Sequence, residues 1–191
     1  MNFIKTILIA LSLTLAFTSL NASDKKYLGL FSKKEKSYIV HSEDGDIKVQ
    51  RTMTSCAKNK GFFQPFSPVK GITPVTEAQM LKALNNKEVM IIDMRMQKQY
   101  LKRTIPNAIN IPFGEIETRL DELGCTEVDG NWDCKEAKVI YGFCNGPVCA
   151  QSPIAMRVMA RNGYPVEKIF YFRGGMLTWE ALGLTTVEGE F

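Results

Sequence analysis

Apolar residues follow three different rhythms along this chain. From Ile7 to Leu20 they dominate, interrupted only by Ser12, Thr14, Thr18 and Ser19. From about Thr76 onward, short apolar runs alternate with stretches at helical spacing. Val89-Met90-Ile91-Ile92 is a continuous run, the pattern of a strand buried on both faces. Ala108–Ile111, Lys138–Phe143 and Lys168–Phe172 read as further strands. Thr76 is placed to cap a helix through Glu77, Met80, Leu81 and Leu84. Helices are also expected over Phe113–Leu123, Pro153–Asn162 and Met176–Leu182. Strands alternating with helices predict an α/β domain with a mostly parallel sheet flanked by helices.

The stretch between these two rhythms behaves differently. Ser37–Val40 and Ile47–Gln50 are β-prone runs on either side of Glu43-Asp44-Gly45-Asp46, a hairpin signal. Residues 61–74 hold three prolines and two glycines and read as an extended linker. A single hairpin is not stable alone. Residues 23–74 are therefore expected to form an N-terminal β-hairpin extension on a main domain of residues 75–191, attached through Phe62, Phe63 and Phe66.

The first 22 residues read as a signal peptide. Lys5 supplies a positive start, the apolar run follows, and Asn21-Ala22 place a small residue at the cleavage point. The run is shorter, and richer in hydroxyls, than the roughly 20 apolar residues that span a bilayer. Export to the periplasm is expected, with cleavage before Ser23 and no stable membrane insertion afterwards. No Cys lies near the cleavage point to carry a lipid.

With 45% hydrophobic and 23% charged residues the chain is an ordinary globular one, which excludes disorder of the whole. The net charge of +4 is too mild for a nucleic-acid binder. The cluster Lys33, Lys34 and Lys36 is interrupted by Glu35 and reads as a solvated surface.

The five cysteines are Cys56, Cys125, Cys134, Cys144 and Cys149, an odd number that leaves at least one thiol unpaired within a monomer. Asp129-Gly130 marks a turn midway between Cys125 and Cys134, so these two are expected to form a structural disulfide across a small loop. Cys144 begins the segment Cys144-Asn145-Gly146-Pro147-Val148-Cys149-Ala150-Gln151-Ser152, which follows a predicted strand and leads into a helix. Ser152 suits an N-cap and Pro153 a first helical position. In open α/β sheets, ligands bind beyond the carboxyl ends of the strands. Unpaired amides where a helix begins stabilise a thiolate or a persulfide anion. Gly146 and Pro147 let the loop curl. Cys149, five residues on, is either a resolving thiol, a small loop residue, or a metal ligand. Two thiols with no nearby His are a poor zinc set, and the sole histidine, His41, falls in the hairpin. No metal and no cofactor are expected.

Three further motifs surround this loop. They are Ile91-Ile92-Asp93-Met94-Arg95, Ile105-Pro106-Asn107-Ala108-Ile109-Asn110-Ile111-Pro112, and Arg173-Gly174-Gly175-Met176-Leu177-Thr178-Trp179. In this order, around one loop cysteine, residues 75–186 resemble a rhodanese-like domain. The resemblance implies a five-stranded parallel sheet flanked by helices. It also implies a sulfurtransferase or sulfane-sulfur carrier in which Cys144 accepts sulfur as a persulfide and passes it to a thiol or another nucleophile. The amides of Asn145, Gly146, Pro147, Val148 and Ala150 are then the expected anion cradle. The loop contains no basic residue, so Arg173 or Arg157 is left to supply a cation for the donor. A phosphatase of the related branch would need Arg where Ala150 stands. Two other readings stay open: a thiol–disulfide protein using Cys144 and Cys149, with a redox or sulfur-relay protein partner, and a binding module without turnover.

Overall fold

The computed structural model describes residues 37–41, 45–50 and 62–190. The expected signal peptide, the lysine cluster, Cys56 and part of the hairpin turn lie outside the described residues. The strands β1 (Ser37–Val40) and β2 (Ile47–Gln50) pair antiparallel, Ser37 opposite Gln50 and Val40 opposite Ile47.

The main sheet is built from β3 (Thr73–Pro74), β4 (Val89–Asp93), β5 (Ala108–Asn110), β8 (Val139–Phe143) and β9 (Ile169–Phe172). A small hairpin of β6 (Thr126–Val128) and β7 (Asn131–Asp133) stands apart from it. The sheet order is β3-β9-β8-β4-β5, with every pairing parallel. Four helices pack around it: α1 (Glu77–Ala83), α2 (Gln97–Lys102), α3 (Gln151–Arg161) and α4 (Gly175–Ala181).

Period-2 alternation along the central strands divides their side chains between two layers. Ile92, Ile140, Ile169 and Tyr171 join Met156 and Met159 of α3 on one face. Ile91, Phe143 and Phe172 join Met80 of α1 and Met176 and Trp179 of α4 on the other. Each central strand is thus covered twice, which is why its sequence reads as an apolar run rather than an alternation. Thr76 starts α1 with a capping box: Gln79 N donates to Thr76 Oγ1, and Thr76 N donates to Gln79 Oε1.

The structure differs from the sequence reading in four places. The end of the supposed linker is β3, an edge strand paired only with β9, where a proline costs no ladder hydrogen bond on its open side. Phe113–Leu123 is not one helix but two 3₁₀ turns, Ile116–Thr118 and Asp121–Leu123. Ile116, Leu120 and Leu123 still face the core at helical spacing. However, the backbone breaks at Arg119 (φ −127°), and Cys125 N returns to Leu120 O, which delivers Cys125 to its disulfide with Cys134. The helix α2 had no periodic signal, since Tyr100 is its only buried residue. Finally, α3 begins at Gln151, with Ala150 in the capping position and no side-chain cap. Ser152 and Pro153 therefore lie inside the first turn, where proline's missing N–H is no loss.

Candidate active site

The strand β8 ends at Phe143, and Cys144 is the next residue. Two neighbours fix its backbone. Met94 N, just past β4, donates to Phe143 O at 3.0 Å, and Met176 N, in the first turn of α4, donates to Cys144 O at 3.0 Å. Leu177 N donates to Asn145 O at 2.9 Å. So α4 presents its first amides to the carbonyls of the loop and clamps it. The loop folds on itself through Cys149 N→Gly146 O (2.9 Å), with Gly146 at φ +156° passing beside Leu177 and Gly174. The carbonyl of Pro147 accepts from Gln64 N at 2.8 Å, so the segment before β3 lies against the loop.

This path buries both loop thiols. Cys144 is 1% exposed and Cys149 9%. Cys125 and Cys134 being bridged, these two are the free cysteines among the described residues. Cys144 Sγ lies 3.5 Å from Cys149 O. The Cys144 thiol is the donor in that contact, and the ionisation of each thiol depends on the other. Asn145 Nδ2 donates to Cys149 Sγ at 3.6 Å and to Gln151 Oε1 at 3.2 Å. Gln99 Nε2, from α2, donates to Asn145 Oδ1 at 3.2 Å and holds that amide in place. Gln151 Oε1 lies 3.4 Å from Cys149 Sγ and accepts its proton when Cys149 is a thiol. Both protonation states of Cys149 therefore have a partner.

These contacts push the two thiols apart. The Cys149 pKa is lowered to about 6, first by the hydrogen bond from Cys144, against the cost of burial, and then by the amides of Gln151 and Asn145 and the Asn145 side chain. Burial raises Cys144 well above the ordinary thiol value, and the Cys149 charge adds to this, opposed by the hydroxyl and amide of Ser152. Near neutral pH the pair thus favours a single charge, on Cys149, with Cys144 protonated. Passage of the Cys144 proton to the neighbouring Cys149 thiolate turns Cys144 into the nucleophile with no new charge buried. Ser152 Oγ is fully buried and otherwise without a hydrogen-bond partner, as is Tyr171 Oη. Burial and then the negative charge of the cysteines raise the Tyr171 pKa.

Thiolate fraction rises with pH, so alkylation should report this ionisation directly. Iodoacetamide labelling of the reduced protein, mapped by peptide mass, is expected to find Cys149 modified with a rate half-maximal near pH 6, against about 8.5 for a free cysteine. A rate still rising steeply above pH 8 would contradict the lowered Cys149 pKa.

The structure brings together Cys144, Asn145, Gly146 and Cys149 and redistributes the other expected roles. Pro147 has no N–H to offer and serves through its carbonyl. The amides of Asn145, Gln151 and Ser152 favour the charged forms of the two thiols. Arg173 directs its guanidinium to the rings of Phe66 (4.2 Å) and Phe63 (5.0 Å), a cation–π contact that ties residues 63–66 down beside the loop. Arg157 is exposed on α3. Sequence reasoning missed Gln99 and Gln151. Nothing in the sequence signals Gln99, which reaches the loop across 46 residues. Gln151 was legible only as the residue before the supposed cap.

Below the loop, the carboxyl end of β4 carries a buried ion pair. Arg95 Nη2 donates to Asp93 Oδ2 at 2.6 Å and Arg95 Nε to Asp93 Oδ1 at 2.9 Å. Thr104 Oγ1 donates to Asp93 Oδ2, and Arg95 Nη2 also reaches Arg103 O. This network joins β4 to the segment after α2. It touches neither sulfur.

A family model described as Rhodanese-like domain matches residues 76–182, more than half of the chain. An HTH-type transcriptional regulator of Mycobacterium tuberculosis is 34% identical over 115 residues, 60% of this chain and 45% of the relative. A putative sulfur carrier protein of Bacillus subtilis is 30% identical over 103 residues, 54% of this chain and 48% of the relative. The chain thus spans about half the length of these curated relatives. Among solved structures, a thiosulfate sulfurtransferase from Pseudomonas aeruginosa aligns at 21% identity with a TM-score of 0.45, covering 62% of this chain and 21% of that one.

Proposed function

Because the chain belongs to the rhodanese-like domain family, we propose that it is a sulfurtransferase or sulfane-sulfur carrier acting through a Cys144 persulfide. The observation that carries this reading is the placement of Cys144. It stands at the carboxyl end of a central parallel strand, in a loop clamped by α4, with its thiol proton directed at Cys149 O. Transfer of that proton to Cys149 leaves a Cys144 thiolate. The thiolate attacks the outer sulfur of a small donor, the donor's S–S or S–SO₂R bond breaks, and the leaving group departs with the electron pair. The product is a Cys144 persulfide anion beside the Cys149 thiol. A thiol or another small nucleophile then takes the outer sulfur. The Bacillus subtilis relative's description as a putative sulfur carrier supports the same chemistry. Residues 1–22 support export to the periplasm, where small sulfur compounds and thiols would be the partners.

The test follows the leaving group. Reduced protein mixed with benzenethiosulfonate is expected to release a burst of one benzenesulfinate per chain, and Cys144→Ser to release none. Absence of a burst with benzenethiosulfonate, thiosulfate and inorganic polysulfide alike would refute the persulfide.

A further inference from the structure

We propose that Cys149 resolves the Cys144 persulfide within the chain, releasing hydrosulfide and leaving a Cys144–Cys149 disulfide. The protein would then be a sulfane-sulfur reductase that takes its electrons from a dithiol. The inference rests on the persulfide reading above and adds a second reaction to it.

Three observations carry it. The two free cysteines are in contact in one loop, Cys144 Sγ against Cys149 O at 3.5 Å, while every other thiol within the described residues is bridged. Cys149 has a dedicated set of partners for its charged form, with Asn145 Nδ2 on its sulfur and Gln99 behind Asn145. A merely space-filling loop residue would need none of these. The third is access. Cys144 is 1% exposed, so the loop must open to admit the donor and would have to open again for an external acceptor, whereas Cys149 already touches Cys144. Groups held in reactive contact behave as though present at effective concentrations on the order of 10⁵ M or more. A millimolar external thiol competes poorly with that.

The step balances. After sulfur uptake the site holds a Cys144 persulfide anion and a Cys149 thiol. The proton passes from Cys149 to the outer persulfide sulfur. The Cys149 thiolate attacks the inner sulfur of Cys144, the new S–S bond forms, and the old one breaks with its electron pair on hydrosulfide. The sulfane sulfur gains two electrons, and the two cysteines lose two. An external dithiol then reduces the Cys144–Cys149 disulfide by exchange, becoming a disulfide itself and returning the protonated Cys144 and the Cys149 thiolate, with one proton released to solvent. Asn145 Nδ2, 3.6 Å from Cys149 Sγ, supports the thiolate that makes the attack.

The experiment uses the full reduced chain, free of added thiol, with benzenethiosulfonate as donor. Its leaving group is a sulfinate, so any sulfide comes from the resolving step. The wild-type protein is expected to release one sulfide per chain and to end about 2 Da lighter than its reduced form, with a peptide cross-link between Cys144 and Cys149. Cys149→Ser loses the group that takes the Cys144 proton, so it is expected to load sulfur more slowly, but then to keep an adduct of about 32 Da on Cys144, one sulfur atom, and to yield sulfide only when dithiothreitol is added. A wild-type chain that bursts sulfinate yet holds the 32 Da adduct as stably as Cys149→Ser would overturn the resolving step and leave the persulfide standing. A chain that gives neither burst nor adduct would overturn both.

Discussion

Asp93→Ala is expected to destabilise the domain by about 3–5 kcal/mol, the cost of leaving a buried charge without its partner. The Arg95 side chain is 4% exposed and that of Asp93 0%, so water cannot replace the lost carboxylate. The Asp93 carboxylate also accepts from Arg95 N and Thr104 Oγ1, and both donors would be orphaned with the guanidinium. For a domain of this size a loss of that magnitude lowers Tm by roughly 10 °C or more. Asp93→Ala/Arg95→Met should recover much of the loss, because it removes the stranded charge along with the carboxylate. Thermal unfolding of both variants checks this. Equal destabilisation by the single and double changes would mean that the network matters through shape rather than charge. Sulfur uptake should follow stability alone in these variants, since neither side chain touches the loop sulfurs.

How far such features could be read from the sequence depended on the distance over which each is determined. The central strands were legible because burial on both faces writes itself as a run such as Val89–Ile92, and five strands in a parallel sheet stand where an α/β pattern and the rhodanese-like resemblance place them. The first turn of α1 was legible because Thr76 and Gln79 cap it locally. By contrast, the 3₁₀ turns after Pro112 present helical spacing at Ile116, Leu120 and Leu123, and only tertiary demands, the return to Leu120 O and the Cys125–Cys134 bridge, set the tighter winding. At the site, Cys144 and its strand-loop-helix setting could be seen in the chain. The interplay of the two thiols could not, because it depends on the curl of the loop and on Gln99 arriving from another helix. The cation sought in Arg173 illustrates the same limit. Its charge was evident, but its engagement by Phe63 and Phe66 depends on where residues 62–66 run.

Gly175→Ala is expected to damage both fold and site, and the geometry separates the two effects. Gly175 has φ +54°, a conformation in which an L side chain costs on the order of 1 kcal/mol. A Cβ there would also drive into Cys144 O and sit 2.9 Å from Gly146 N and 3.0 Å from Asn145 C. These are backbone atoms of the active loop, held by Met176 N and Leu177 N, and they cannot swing aside as the end of a flexible side chain could. Relief requires α4 and the loop to part, which adds about 1–3 kcal/mol of overpacking strain and releases the carbonyls that fix Cys144 and Asn145. Displacement of a reacting group by about 1 Å can cost on the order of 10²-fold in rate, so the sulfinate burst should slow by about that factor. Gly183→Ala provides the control. Its φ of +67° carries the same backbone penalty, but a Cβ there meets nothing within 4 Å. Gly183→Ala should therefore lose about 1 kcal/mol and react with donor at the wild-type rate. If the two variants matched in both unfolding and burst rate, the close approach of α4 to the loop would not be what holds Cys144 in place.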